Sequence, residues 1–178
     1  MVCCCLRWAF GALLVLLTAR GLPAADAAWN ERGTELCLLH RERGVLVGSA
    51  PSSARPLELP AELRGKVLAV AHASAEGWLL LSERAVWRQS AGAKGFQRWV
   101  EAPSGLSWID LAVEPVQGNL LLIGRVRGAG PADDPEGEHV ARVFERKSAR
   151  LQKLYARRLD SIVGPSFAPD GTLFPGWP

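Results

Sequence analysis

Short runs of apolar residues alternate with polar turns along most of the chain, and four of these runs follow a glycine. Each run is too short for a stable helix and has the length of a β-strand. The glycines lie 33, 41 and 53 residues apart, at Gly44, Gly77, Gly118 and Gly171. Spacings in this range are typical of β-propellers and other repeat arrays. The pattern therefore predicts an all-β repeat fold.

The clearest repeat holds four apolar runs separated by short turns, at 67–71, 78–81, 85–88 and 96–100. The run 78–81 is apolar throughout, as expected of a strand buried on both faces. Four antiparallel strands joined by short turns form one propeller blade. The next repeat has the same order around a long insert, with runs at 108–113, 119–123, 140–146 and 151–157. Its last run also fits a helical stripe, and we predict a strand there.

Partial repeats flank these two units. The earlier one has runs at 36–39 and 45–47, and the later one has runs at 162–167 and 172–174. We therefore predict a partial β-propeller of about three to three and a half four-stranded blades. The predicted units are 28–60, 61–104, 105–160 and a truncated 161–178.

An open arc of blades leaves apolar sheet faces exposed to water, because each blade buries its faces against its neighbours. We expect the chain to be a fragment of a longer propeller. The alternatives are a homo-oligomer that closes the ring and a chain that folds poorly alone.

The first 27 residues have the pattern of a secretory signal peptide. Arg7 precedes an apolar stretch at 8–19, and Ala25-Asp26-Ala27 fits a small-residue cleavage site. The apolar stretch is short for a transmembrane helix, which needs about 20 residues. We predict cleavage near Ala27–Ala28, a secreted or periplasmic protein and no transmembrane span in the mature chain. The alternative is a signal that remains uncleaved as an anchor.

Charge and cysteine content narrow the possible functions of the protein. The 178 residues include 21 basic and 18 acidic side chains, a net charge of +3. This balance argues against a nucleic-acid-binding surface. Cys3, Cys4 and Cys5 lie before the apolar stretch and leave with the signal, so Cys37 remains alone. In an apolar run, a lone cysteine is expected to be a small buried hydrophobic residue.

Two segments resemble the BNR (Asp-box) repeats of sialidase-like, sortilin-like and photosystem-assembly-factor-like propellers. Residues 108–124 resemble the first hairpin of such a repeat, and 86–99 resemble the hairpin that carries the Ser-x-Asp-x-Gly-x-Thr-Trp box. Ser90, Gly95 and Trp99 match the box, but its aspartate is missing and the spacing is longer. The segment 167–174 matches the same hairpin turn and equally suits tryptophan-aspartate, NHL or TolB-type repeats. The resemblance implies degenerate, structural repeats.

Catalytic and metal-binding signatures do not stand out in the sequence. The sole tyrosine, Tyr155, lies in no motif that marks the nucleophile of a sialidase. The histidines have no second histidine or cysteine at metal-ligand spacing. The acidic segment 133–138 lacks the ordered alternation of a calcium loop. We therefore predict no enzyme activity, no metal and no cofactor.

Tryptophan and arginine carry the strongest remaining signal for binding. Trp87-Arg88 and Arg98-Trp99 face each other across one predicted hairpin, which suggests a cation–π or glycan-stacking surface. Asp110 lies in a predicted innermost strand that lines a central channel. These five residues are the candidate binding residues.

The sequence thus favours an exported, non-catalytic binding or scaffold module for a protein or glycan partner. The alternative is a degenerate or incomplete glycoside-acting enzyme, similar to sialidases, whose catalytic residues lie outside this chain.

Overall fold

The computed structural model describes residues 26–89, 95–127, 139–157, 166–167 and 173–174, with side chains from Ala27 up to Gln152 within these ranges. In this part of the chain, fourteen strands are accompanied by one short 3-10 helix, Pro51–Ser53. Neighbouring strands in every sheet are antiparallel. The predicted all-β class is therefore confirmed.

Three sheets have four strands each, arranged in chain order. The first contains β1 (Asp26–Trp29), β2 (Leu36–His40), β3 (Gly44–Gly48) and β4 (Arg55–Pro56). The second contains β5 (Ala69–Ala73), β6 (Gly77–Leu81), β7 (Ala85–Gln89) and β8 (Gln97–Glu101). The third contains β9 (Leu106–Val113), β10 (Leu120–Val126), β11 (His139–Glu145) and β12 (Arg150–Arg157). A two-stranded sheet follows, β13 (Ser166–Phe167) and β14 (Leu173–Phe174).

The sheets stack through their first strands. β1 contacts β5, β5 contacts β9, and β9 contacts β13. Successive sheets therefore lie side by side with their first strands adjacent, as blades do around the axis of a propeller. The ambiguous run at 151–157 lies in β12, so the prediction of a strand there is confirmed.

The second sheet is buried on both faces. One face packs on the first sheet, in a core that includes Cys37, Val45, Trp78, Leu80 and Trp87. The other packs on the third sheet, in a core that includes Leu79, Leu81, Val86, Trp108 and Leu120. Successive residues of β6 alternate between the two cores, because strand side chains point to opposite faces in turn. The predictions that 78–81 is buried on both faces and that Cys37 is buried are confirmed.

The first sheet corrects one part of the sequence prediction. The earlier repeat was expected to be partial, with its first strand at Leu36, but that strand is β2 and β1 precedes it. Gly44 accordingly begins β3, the third strand of its sheet, whereas Gly77 begins β6 and Gly118 precedes β10, each the second strand of its sheet. The residue that corresponds to them in the first sheet is Gly33, also at positive φ (65°). Gly171 lies outside the described residues.

Candidate functional site

The hairpin formed by β7 and β8 brings together four of the five predicted binding residues. Trp87 is in register with Arg98, and Val86 is in register with Val100. The register shifts between these pairs, so Trp99 is an extra residue in β8, a β-bulge. A bulge of this kind rotates the strand locally and sets where the neighbouring side chains point.

The first pair of side chains lies on the face of the hairpin toward the first sheet. The Arg98 guanidinium carbon is 5.2 Å from the centre of the Trp87 ring, within cation–π range. Trp87 is buried in the core between the first and second sheets. Arg98 also pairs with Glu62, at 3.0 Å, and both side chains are more than half exposed. Arg98 thus covers the buried indole and presents its charge to solvent.

The second pair lies on the opposite face, toward the third sheet. The Arg88 guanidinium carbon is 5.2 Å from the centre of the Trp99 ring. Trp99 also meets Phe144 of β11 edge-to-face, with 5.1 Å between ring centres and an interplanar angle of 77°. These contacts place Arg88 and Trp99 at the boundary between the second and third sheets.

The predicted residues therefore form two cation–π pairs on opposite faces of one sheet. Each indole is covered by a guanidinium, and each also packs against a neighbouring sheet. Neither ring is an open platform for stacking on a sugar. The binding role of Trp87, Arg88, Arg98 and Trp99 stays a prediction.

A buried carboxylate connects the second pair to the third sheet. Glu76, in the turn between β5 and β6, is 8% exposed. Its carboxylate accepts a hydrogen bond from Arg88 Nη1 at 2.6 Å and another from Arg146 Nε at 2.9 Å. We call Glu76, Arg88 and Arg146 the Glu76 cluster. It joins a turn and a strand of the second sheet to the residue that follows β11 in the third.

The electrostatics of the cluster favour the ionised carboxylate. Burial acts to raise the pKa of Glu76, but the hydrogen bonds and positive charges of Arg146 and Arg88 outweigh it and lower the pKa. One carboxylate faces two guanidinium groups, so the cluster keeps one excess positive charge. Such an arrangement can hold two sheets together, and it leaves a positive edge at their boundary.

Sequence reasoning did not find Glu76 or Arg146 as partners of Arg88. Glu76 lies 12 residues before Arg88, and Arg146 lies 70 residues after Glu76. No motif spans such separations, and only the stacking of the second and third sheets brings the three together. The signal available in the sequence was a charged residue beside a turn glycine, which is common on any surface.

Asp110 lies elsewhere, in β9, the first strand of the third sheet. Its side chain is half-buried, and Oδ1 accepts a hydrogen bond from the backbone N–H of Leu111 at 2.8 Å. β9 contacts β5 and β13, so Asp110 is on an inner strand of the arc. Its role at a central channel stays a prediction.

Another polar contact ties the first sheet to the second. Trp78 Nε1 in β6 donates to Glu35, in the segment between β1 and β2, at 3.1 Å. The Trp78 ring also meets His72 of β5 edge-to-face at 4.9 Å. Burial lowers the pKa of His72, while the negative charges of Glu31 and Glu35 act to raise it. Polar groups thus cross both boundaries of the second sheet.

The described residues offer neither a metal centre nor a membrane-spanning helix. They contain no group of three or more histidine, cysteine, aspartate or glutamate side chains placed to hold a metal ion. Within the same ranges, no helix has the length and apolarity needed to cross a membrane. The acidic segment 133–138 lies outside the described residues, and so does the side chain of Tyr155.

Comparison with known proteins supports the fold. The structure is similar to that of an oligogalacturonate lyase solved in complex with manganese, with a TM-score of 0.56 and 9% sequence identity. The match covers 84% of this chain and 46% of that chain, so this chain spans about half the length of the lyase. No family model matches the sequence. No curated protein matches it either.

The fold class is thus a partial β-propeller with three four-stranded blades and one further pair of strands in the described residues. A likeness at 9% identity defines the fold and carries no information about chemistry.

Proposed function

We propose that the protein is an exported, non-catalytic binding or scaffold module built on a partial propeller. The observation that carries this proposal is that contacts hold the side chains of the β7–β8 hairpin, the outer hairpin of the second blade, in place. Its arginines and tryptophans are tied to each other and to the carboxylates of Glu62 and Glu76. Side chains fixed in this way form a rigid surface, which suits recognition.

The exposed groups of this hairpin favour a protein partner over a glycan. Gln97 and Glu101 are exposed on β8 beside Arg98, whose side chain is 53% exposed. A rigid arginine among polar neighbours is a common anchor in protein interfaces. Sugar binding by stacking needs an open aromatic face, and both indoles here are covered. We therefore propose a protein partner at the outer edge of the second blade.

The arc is proposed to be completed by blades from outside this chain. Each blade of a propeller buries its faces against neighbouring blades. Because the chain spans 46% of the lyase, a second copy would supply a similar length of propeller. A homodimer that closes the ring is the form of this proposal that can be tested with the chain alone. Further propeller sequence in the same polypeptide is the other source of blades.

The signal-peptide pattern of residues 1–27 is the basis of the proposed export. Residues 86–124 are the basis of the proposed BNR-like repeat family. Cleavage between Ala27 and Ala28 would leave Ala28 and Trp29 of β1, in register with Cys37 and Leu36. For a degenerate BNR-like repeat, Trp99 is the residue of the box that packs between neighbouring sheets. Ser90 of the box lies outside the described residues, while Gly95 lies within them.

Native mass spectrometry of the protein expressed with its first 27 residues tests export and assembly together. We expect a protomer that begins at Ala28. An assembly of twice the protomer mass would support ring closure by a second copy, the alternative to further propeller sequence in the same polypeptide. An intact Met1 on exported protein would contradict signal cleavage. A folded protomer that stays monomeric at high concentration would contradict ring closure by a second copy.

The alternative function is a degenerate or incomplete glycoside-acting enzyme. The specific observation in its favour is the likeness to a lyase whose name gives oligogalacturonate as substrate. Incubation of the purified protein with oligogalacturonate and manganese, followed by the ultraviolet absorbance of unsaturated products, separates the two proposals. We expect no product. Turnover that scales with protein concentration would replace the scaffold proposal.

A further inference from the structure

An open groove of about 480 Å³ lies at the end of the first sheet. It is bounded by the turn between β2 and β3 and by the segment 59–67, which leads toward β5. Its volume falls in the range of small-molecule sites, about 300–1,000 Å³. None of the described residues that line the groove belongs to the β7–β8 hairpin.

The walls of the groove are aliphatic. Leu39, Val45, Leu59 and Val67 line it, and all four belong to or pack against the core between the first and second sheets. Leu39, Leu59 and Val67 are only partly buried, so their side chains still face water in the groove. Filling the groove with an apolar body would remove this surface from water, at about 25 cal/mol per Å².

The rim of the groove carries excess positive charge. Among the described residues that line the groove, Arg41 carries a full positive charge and none is acidic. Arg41 lines the groove, is exposed, and makes no ion pair with any described residue. The groove is thus complementary to a ligand with a negative end.

His40 holds the turn that carries Arg41. Its Nδ1 accepts hydrogen bonds from the backbone N–H groups of Glu42 and Arg43, both at 3.2 Å. In the neutral ring an accepting Nδ1 leaves the proton on Nε2, which is then a donor. The ring also lines the groove, so a donor and a guanidinium lie at the same rim.

We propose that this groove binds a small aliphatic carboxylate. The hydrocarbon chain lies against Leu39, Val45, Leu59 and Val67, and the carboxylate lies at the rim near Arg41 and His40. The walls of the groove are aliphatic, and the one aromatic ring among its described lining residues, that of His40, lies at the rim. The body of the ligand is therefore an alkyl chain rather than a flat ring. No covalent step is involved.

Titration calorimetry with octanoate and octanol tests the proposal, with Arg41→Gln as the variant and Arg43→Gln as the matched control. Arg43 lies in the same turn but does not line the groove. We expect one octanoate per protomer, bound more tightly than octanol. Arg41→Gln should weaken octanoate by about fivefold, as an exposed charge contact does, and leave octanol unchanged. Arg43→Gln should change neither affinity.

A second variant tests the location of the alkyl chain. Val67→Trp places a large ring in the groove and should abolish binding of both octanoate and octanol, with the far-ultraviolet circular dichroism spectrum unchanged. Wild-type affinity in a folded Val67→Trp protein would overturn the proposal. The proposal would also be overturned if octanoate and octanol bound with equal affinity, or if octanoate did not bind at millimolar concentration. The same holds if Arg43→Gln lost as much octanoate affinity as Arg41→Gln.

Discussion

Replacing Gly77 with alanine is expected to lower the free energy of unfolding by about 3 kcal/mol. Gly77 has φ 76°, a left-handed conformation that costs a residue with a Cβ about 1–2 kcal/mol. An added Cβ would also overlap the backbone carbonyl oxygen of Gln89, at the end of β7. Backbone cannot move aside as a flexible side chain does, so the overlap adds to the conformational strain. Urea denaturation followed by tryptophan fluorescence measures the loss.

Gly44→Ala is the matched control for this effect. Gly44 has nearly the same backbone conformation, φ 73°, but nothing lies within 4 Å of an added Cβ. It should therefore show only the conformational cost, about 1–2 kcal/mol. The difference between the two variants isolates the close approach of the β5–β6 turn to β7. Equal losses in the two variants would show that this approach does not occur.

Replacing Glu76 with glutamine is expected to cost about 2 kcal/mol at neutral pH. The substitution keeps the shape of the side chain but leaves two guanidinium groups without a counter-charge between the second and third sheets. The side chains of Arg88 and Arg146 are about a third exposed, so water screens part of the loss. Urea denaturation again measures it. Glu83→Gln is the control, because Glu83 forms an exposed pair with Arg127, at 3.6 Å, and should cost under about 0.5 kcal/mol.

The same cluster predicts a pH dependence with a definite sign. The pKa of Glu76 is lowered in the folded protein from its ordinary value of 4.5. The unfolded chain therefore takes up a proton first, and the stabilisation is fully present only above about pH 4.5. It is lost as the pH falls through the folded-state pKa. The gap between wild type and Glu76→Gln should narrow on acidification, and a gap that widens would contradict the assignment.

Much of the fold could be predicted because turn glycines and short apolar runs mark strands directly. The strands of the second and third sheets lie within a few residues of the predicted runs. β1 was missed because its four residues, Asp-Ala-Ala-Trp, are short and resemble a signal cleavage site. Its strand conformation depends on pairing with β2, which is a tertiary contact. Local sequence carries little information about such a strand.

The candidate site could be predicted from the sequence only in part. The sequence placed Trp87-Arg88 opposite Arg98-Trp99, and the register pairs Trp87 with Arg98 but Arg88 with Gln97. It treated the four residues of the hairpin as one surface, although neighbours along a strand point to opposite faces. The sequence also did not predict the contact between Glu76 and Arg146, because that contact depends on how the second and third sheets stack. Contacts between blades are the part of this molecule that sequence patterns encode least.

The central claim is that the second and third sheets stack face to face as neighbouring blades. A two-dimensional nuclear Overhauser spectrum of the protein tests it most directly, through the rings of Trp99 and Phe144. These rings lie 45 residues apart in sequence, on different sheets, and their centres are 5.1 Å apart. We predict cross-peaks between their ring protons. A folded sample in which both rings are assigned and no cross-peak joins them would contradict the stacking.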